Sequence, residues 1–366
     1  MGKKISKLQL AQKKAEDAQG KTNQKIEELG NHTATLYDCL NEIQGLFDSI
    51  RNIPQEEKLK YEKLCAIRLN WKQQAENIEL EYKKTEVKTT GQGVAGIGAG
   101  VAVAALGPSA AMGIATTFGV ASTGTAISAL SGAAATNAAL AWLGGGALVA
   151  GGGGMAAGSA FLALAGPIGW AIAGVSVVAS GLMFWKTKSE KERLENIYTL
   201  ISKRDVKSYE LAIVELSERI KRIQNESVML SKAIEKIKSF GLDYHRMTEA
   251  QQYELGSYVN LMEASTMLLV DPILGLRPKY TEEDFQKFRS VAKDVCYDNH
   301  KTMIISLANL LYRISLDEKD KKVLCKSLRK NKTFLESIDM TKKEFTVEDL
   351  FVVEKALEYR YKSSKY

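Results

Sequence analysis

The chain has 366 residues, a formal net charge of +7 and five prolines, of which only Pro54, Pro272 and Pro278 lie outside one uncharged stretch, so long helices and an all-α fold are expected. Residues 1–88 set 16 basic against 14 acidic side chains, a solvated helix surface rather than a phosphate-binding stripe, which argues against a nucleic-acid partner. Four cysteines without CxxC spacing and an N-terminus without an apolar run argue against a disulfide scaffold and a secretory signal, and predict a reduced, cytoplasmic chain.

The opening MGKKIS matches the myristoylation pattern through Gly2 and Ser6, and a frayed helix terminus accounts for the same residues. From residue 26, Ile26, Leu29, Thr33, Leu36, Leu40, Ile43, Phe47 and Ile50 alternate three and four residue steps, a heptad seam. After the break at Asn52, Ile53 and Pro54 the pattern resumes loosely with Leu64, Ile67, Trp71, Ile78 and Tyr82. Coiled-coil helices are therefore expected over 1–88.

The uncharged stretch comes next. Thr89 to Trp185 is 97 residues without Asp, Glu, Lys, Arg or His, and it holds 22 of the 29 glycines. Its two halves differ. Between Ala160 and Trp185 ten Leu, Ile, Val or Phe residues contribute about −3 to −6 kcal/mol toward insertion before small residues subtract. This predicts a membrane-inserting segment carried by Phe161, Leu162, Leu164, Ile168, Trp170, Ile172, Val175, Val178, Leu182, Phe184 and Trp185. Between Ser109 and Thr136 the corresponding sum is only about −1.5 to −3 kcal/mol. There Gly113, Thr117, Ala121, Thr125, Ala129, Ala133, Asn137, Ala141 and Gly145 recur every fourth position, flanked by a row containing Gly124, Ser128 and Gly132. Such a ridge lets a backbone approach another helix closely, so this half calls for protein on that side rather than lipid. Basic residues flank the stretch, Lys84 and Lys88 before it and Lys186 and Lys188 after it, as interfacial anchors would; if both flanks lie on one face the crossings are even in number.

Over 186–240 the heptad pattern returns with Tyr209, Ile213, Leu216, Ile220, Ile223, Ser227, Leu230, Ile234 and Ile237. The two seams are expected to pack as an antiparallel pair, bringing Lys84 and Lys88 close to Lys186 and Lys188 at one end of a rod. Residues 241–366 read as a small helical domain, with helix starts at Thr281 and Thr346 marked by Asp284 and Asp349 at the capping-box position. Seven basic residues against Asp320 alone over 319–332 read first as a solvated helix face.

No P-loop, dinucleotide fingerprint or nucleophile elbow appears. Cys296 and His300 would share a helix face with Asp298 between them, but too few further ligands lie nearby for a metal site, so neither catalysis nor a cofactor or metal is expected. His32 and His245 read as ordinary polar positions.

Long heptad helices enclosing a glycine- and alanine-rich apolar insert, with a helical domain attached, resemble the α-helical pore-forming toxins of the cytolysin A and tripartite enterotoxin type. The resemblance covers residues 1–240 by organisation, without a specific motif. It implies an insert that leaves a soluble resting place, enters a bilayer and oligomerises through the long helices, with the bilayer and other copies of the chain as partners and room for a second protein component. The insert is longer than a simple hairpin needs and no secretion signal precedes it, which suits an effector acting inside its own cell, such as one for abortive phage defence. The competing expectation is a constitutive membrane-anchored coiled-coil scaffold that recruits another protein.

Overall fold

The computed structural model describes residues 7–90, 108–118, 187–276, 279–292 and 300–330, positions 334, 335 and 338, and residues 340–363. Within them the chain is all-α: α1 (Lys7–Ser49), α2 (Gln55–Thr90), α3 (Pro108–Phe118), α4 (Lys188–Ile237), α5 (Glu249–Val270), α6 (Glu282–Val291), α7 (Lys301–Leu311), α8 (Glu318–Leu328) and α9 (Val347–Ser363). No β-strand occurs among these residues.

The first heptad seam is buried throughout, from Ile26 to Ile50, and α4 buries Tyr209, Leu216, Ile220, Ile223, Leu230, Ile234 and Ile237 against it. The two seams run parallel. His32 is hydrogen-bonded to Gln224 and Cys39 touches Ser231, both at a separation of 192 residues. At the far end Arg51 donates its N–H to Leu242 O and accepts from the N–H of Tyr244 in a parallel bridge. The antiparallel pairing expected from the sequence is thus overturned. A heptad seam has no direction of its own, and 97 intervening residues can reach either end.

α2 runs antiparallel to α1 and is reached through a tight turn in which Asn52 takes a left-handed φ of 63°, a conformation that asparagine tolerates. Phe47 meets Tyr61 with ring centroids 5.3 Å apart, and Tyr37 meets Trp71 at 5.4 Å. Continued at this register, Lys84 and Lys88 fall opposite the stretch of α1 near residues 20–24. Lys188 lies beyond the start of α1, roughly 40 Å away along the rod at 1.5 Å per residue. The basic flanks are therefore not gathered at one end; Lys186 lies outside the described residues.

α5 completes the rod. It runs antiparallel to α4, with Lys236 paired to Glu254, Ser265 donating to Glu226 at 2.9 Å, and Arg219 donating to Leu268 O and Asp271 O at 2.7 and 2.8 Å. A capping box between Thr248 and Gln251 starts it. The apolar cores cut across the sequence division at 240/241. α5 lies in the same core as α1, α2 and the later part of α4, whereas Leu194, Ile197, Tyr198 and Ile201 of early α4, together with Leu8, belong to the core of α6–α9.

The 50-residue α4 thus spans both bodies, about 75 Å end to end. At the junction Arg204 bonds Asp205 and reaches over to cap the end of α7, donating to Leu310 O and Tyr312 O at 2.7 and 2.8 Å. Asn309 is buried with both ends satisfied, accepting from the N–H groups of Lys279 and Tyr280 and donating to Tyr280 O and Ile305 O. Arg193 clasps Asp317 and Asp320 at the start of α8. The helix starts read at Thr281 and Thr346 are present, with the Thr281 N–H donating to Asp284 and that of Thr346 to Asp349.

Candidate functional site: an uncharged helix docked on the rod

Apart from Thr89 and Thr90 at the end of α2, α3 is the part of the uncharged stretch that the described residues include. Its sequence, PSAAMGIATTF, carries no charge. Ala111, Gly113, Ile114, Ala115, Thr116 and Thr117 are all buried, and Met112 is half-buried. An uncharged helix rich in apolar and small residues needs protein or lipid around it. Here α1, α2 and α5 supply protein.

The tightest point is a crossing of two glycines. A Cβ placed on Gly30 of α1 would lie 1.7 Å from Ser109 O, and one on Gly113 would lie 2.0 Å from Ile26 O. Neither position has room for a methyl group, so the two backbones touch, running antiparallel. Such closeness maximises van der Waals contact between small faces.

Polar atoms at this crossing are satisfied mainly within their own helices. Thr117 Oγ1 donates to Gly113 O at 2.7 Å, and Thr33 Oγ1 donates to Gly30 O at 2.9 Å. One bond leaves α3 for another element: the N–H of Ile273, just beyond α5, donates to Thr117 O at 2.7 Å. Thr116 Oγ1 is buried with no partner among the described residues, a loss of about 1–3 kcal/mol.

A second unusual group lies deeper in the rod. Arg68 of α2 is 1% exposed, and it donates to Gln44 Oε1 of α1 at 2.9 Å and to Thr266 Oγ1 of α5 at 3.4 Å. Both partners are neutral. A carboxylate is reached only through Gln44, which donates to Asp48 at 3.1 Å. Burial pulls the guanidinium below its ordinary pKa, and Nε is buried without a partner. A buried cation with neutral partners opposes the apolar packing of the three helices it joins.

Of the ridge read from the sequence, Gly113 sits at the crossing, while Ala121, Gly124, Thr125, Ala129, Gly132, Ala133, Ala141 and Gly145 lie outside the described residues. So do all the expected membrane-inserting positions from Phe161 to Trp185. Lys188 is exposed, with Glu192 at 3.9 Å. His300 precedes α7 and makes no capping bond, and Cys296 lies outside the described residues. No cluster of metal-ligating side chains occurs among the residues described. Among them, the helical stretch Glu249–Leu276 is long and apolar enough to cross a membrane, and just over half of its 18-residue apolar window is buried in the rod. Of the basic run in 319–332, Lys321 is buried against Glu354 at 2.8 Å, and Lys326 pairs with Glu190.

Sequence reading missed Gly30 and Arg68. Gly30 had one available signal, a threonine three residues on, matching the glycine and threonine of α3. Compared with known protein families, characterised proteins and solved structures, the chain matches none.

Proposed function

We propose that this chain is a membrane-inserting, oligomerising helical protein that permeabilises or remodels a bilayer, and that the docking of α3 on the rod belongs to its resting form. The observation that carries the reading is the Gly30–Gly113 crossing. It holds an uncharged helix to a charged rod by close contact rather than by ion pairs. Contacts of that kind can be exchanged for lipid or for another helix, because the hydroxyls of Thr33 and Thr117 keep their intrahelical partners when the helices part. Among the described residues, the bond from Ile273 to Thr117 O is the one that must be given up.

Undocking would uncover Ile26 and Gly30 on α1. That face then needs a new cover, and a second copy of the chain can supply it, which couples insertion to assembly. Arg68 adds a buried charge that lowers the stability of the closed rod, as a conditional rearrangement requires. The resting form would be cytoplasmic and the inserted form bound to membrane.

Dye release from liposomes, measured alongside bilayer attachment, tests the reading. The purified chain should release dye on attaching. Stable attachment without release at any lipid composition or pH would favour a membrane-anchored scaffold instead.

A further inference from the structure

Where the start of α1, the early part of α4 and the C-terminal helices meet, a groove of about 940 Å³ lies open. Lys7 and Lys14 of α1, Lys203 and Lys207 of α4, and Arg313 after α7 rim it, and Glu210 is the one carboxylate among its lining residues. The four lysines are exposed, and none has an ion-pair partner among the described residues. The parallel register of α1 and α4, offset by 192 residues, sets Lys14 beside the turn from Lys203 to Lys207. Between the lysines the floor is apolar: Leu10, Leu200 and Leu211 stay 52%, 40% and 51% exposed.

We infer that this groove docks the chain on anionic phospholipid headgroups at a bilayer surface. The inference rests on the membrane reading above and names the lipid class and the surface that meets it. Leucines on the floor can dip among acyl chains while the lysines reach outward along their apolar stems to the headgroups. An uncharged occupant, including the chain's own 97-residue stretch, would cover the leucines and leave four ammonium groups with Glu210 as the one lining carboxylate to offset them. A small soluble anion would neutralise the lysines and leave the leucines wet. An anionic bilayer surface answers both demands.

The groove is also separate from the α3 docking point. Lys14 lies about 24 Å along α1 from Gly30 at 1.5 Å per residue, so attachment and undocking can be altered independently.

The test is sedimentation of the full chain with phosphatidylcholine vesicles, with and without phosphatidylglycerol, together with dye release per bound molecule. Binding should require phosphatidylglycerol and weaken with salt. Removing the charges with Lys14→Gln, Lys203→Gln and Lys207→Gln should weaken it roughly fivefold per lysine, on the order of a hundredfold for all three, with release per bound molecule unchanged. Since all three side chains are exposed, circular dichroism should report an intact fold. Equal binding of neutral and anionic vesicles, or undiminished binding by the triple variant, would overturn the inference. So would capture of a soluble acidic helical peptide with no vesicle binding. Charge-dependent binding without any dye release would instead uphold the groove and defeat the permeabilising function.

Discussion

Gly30 of α1 and Gly113 of α3 face each other so closely that neither admits a Cβ: the added atom would sit 1.7 Å from Ser109 O in one case and 2.0 Å from Ile26 O in the other. Alanine at either position should therefore drive α3 off the rod. Overpacking in a core typically destabilises by about 1–3 kcal/mol, and a backbone clash belongs at or above the top of that range. In a free helix the same change is favourable by about 1 kcal/mol. Thermal melts thus give opposite signs for the two states. Gly113→Ala should lower the melting temperature and speed protease cleavage within 108–118, whereas an unchanged or raised melting temperature would mean that α3 is not docked.

Arg68 makes a prediction of the opposite sense. Replacing it with methionine removes a buried cation whose direct partners are neutral, while keeping most of the volume between α1, α2 and α5. Arg68→Met should raise the denaturation midpoint by about 1–2 kcal/mol of stability, and it should slow dye release if the rod must open first. Loss of several kcal/mol in urea unfolding would show that the link through Gln44 to Asp48 stabilises the rod instead.

Asp205 sets a pH dependence where the two bodies join. Burial raises its pKa to about 7, against the pull of Arg204 and the more distant Lys279, with the buried Tyr209 hydroxyl nearby. In the unfolded chain the group titrates near 4. Between these values the folded state holds a proton that the unfolded state has released. This contribution to stability is accordingly complete below about pH 4, falls as the pH rises toward 7, and is absent above that. The span amounts to about 4 kcal/mol. Asp205→Asn keeps an oxygen for Arg204 and should flatten this part of the profile, leaving the variant more stable than the parent at pH 8. A parent profile that rises from pH 4 to 7, with no difference in the variant, would contradict the assignment.

The buried positions of α1 and α4 could be read from the alternating steps of Ile26 to Ile50 and Tyr209 to Ile237, because one apolar stripe on a long charged helix must be covered. Their relative direction could not, since the stripe looks the same from either end. In α2 the looser pattern misled in detail. Ile67 is only half-buried while its neighbour Arg68 is buried, and nothing local announces that Gln44 and Thr266 will receive that side chain. The change of pattern at Gly241 groups α5 with the C-terminal helices, yet Leu255, Val259, Met262, Leu268 and Leu269 are buried in the core of the rod. The close-approach character of Gly113 was legible in its four-residue repeat. Its partner was not, because Gly30 is one of three widely spaced glycines in a charged helix, and the fold alone reveals what passes over it.

The central claim is that α3 must leave the rod before the bilayer is breached. The N–H of Ile273 and the carbonyl of Thr117 are 2.7 Å apart, so the two backbones adjoin there, and a disulfide formed in a double variant, Thr117→Cys with Ile273→Cys, would hold α3 to the rod. Dye release by this double variant, compared with each single variant and before and after reduction, is the most direct measurement. The account predicts that the oxidised protein binds vesicles yet releases no dye, and that reduction restores release to the level of the single variants. Release by the oxidised, fully cross-linked protein at the reduced rate would contradict it.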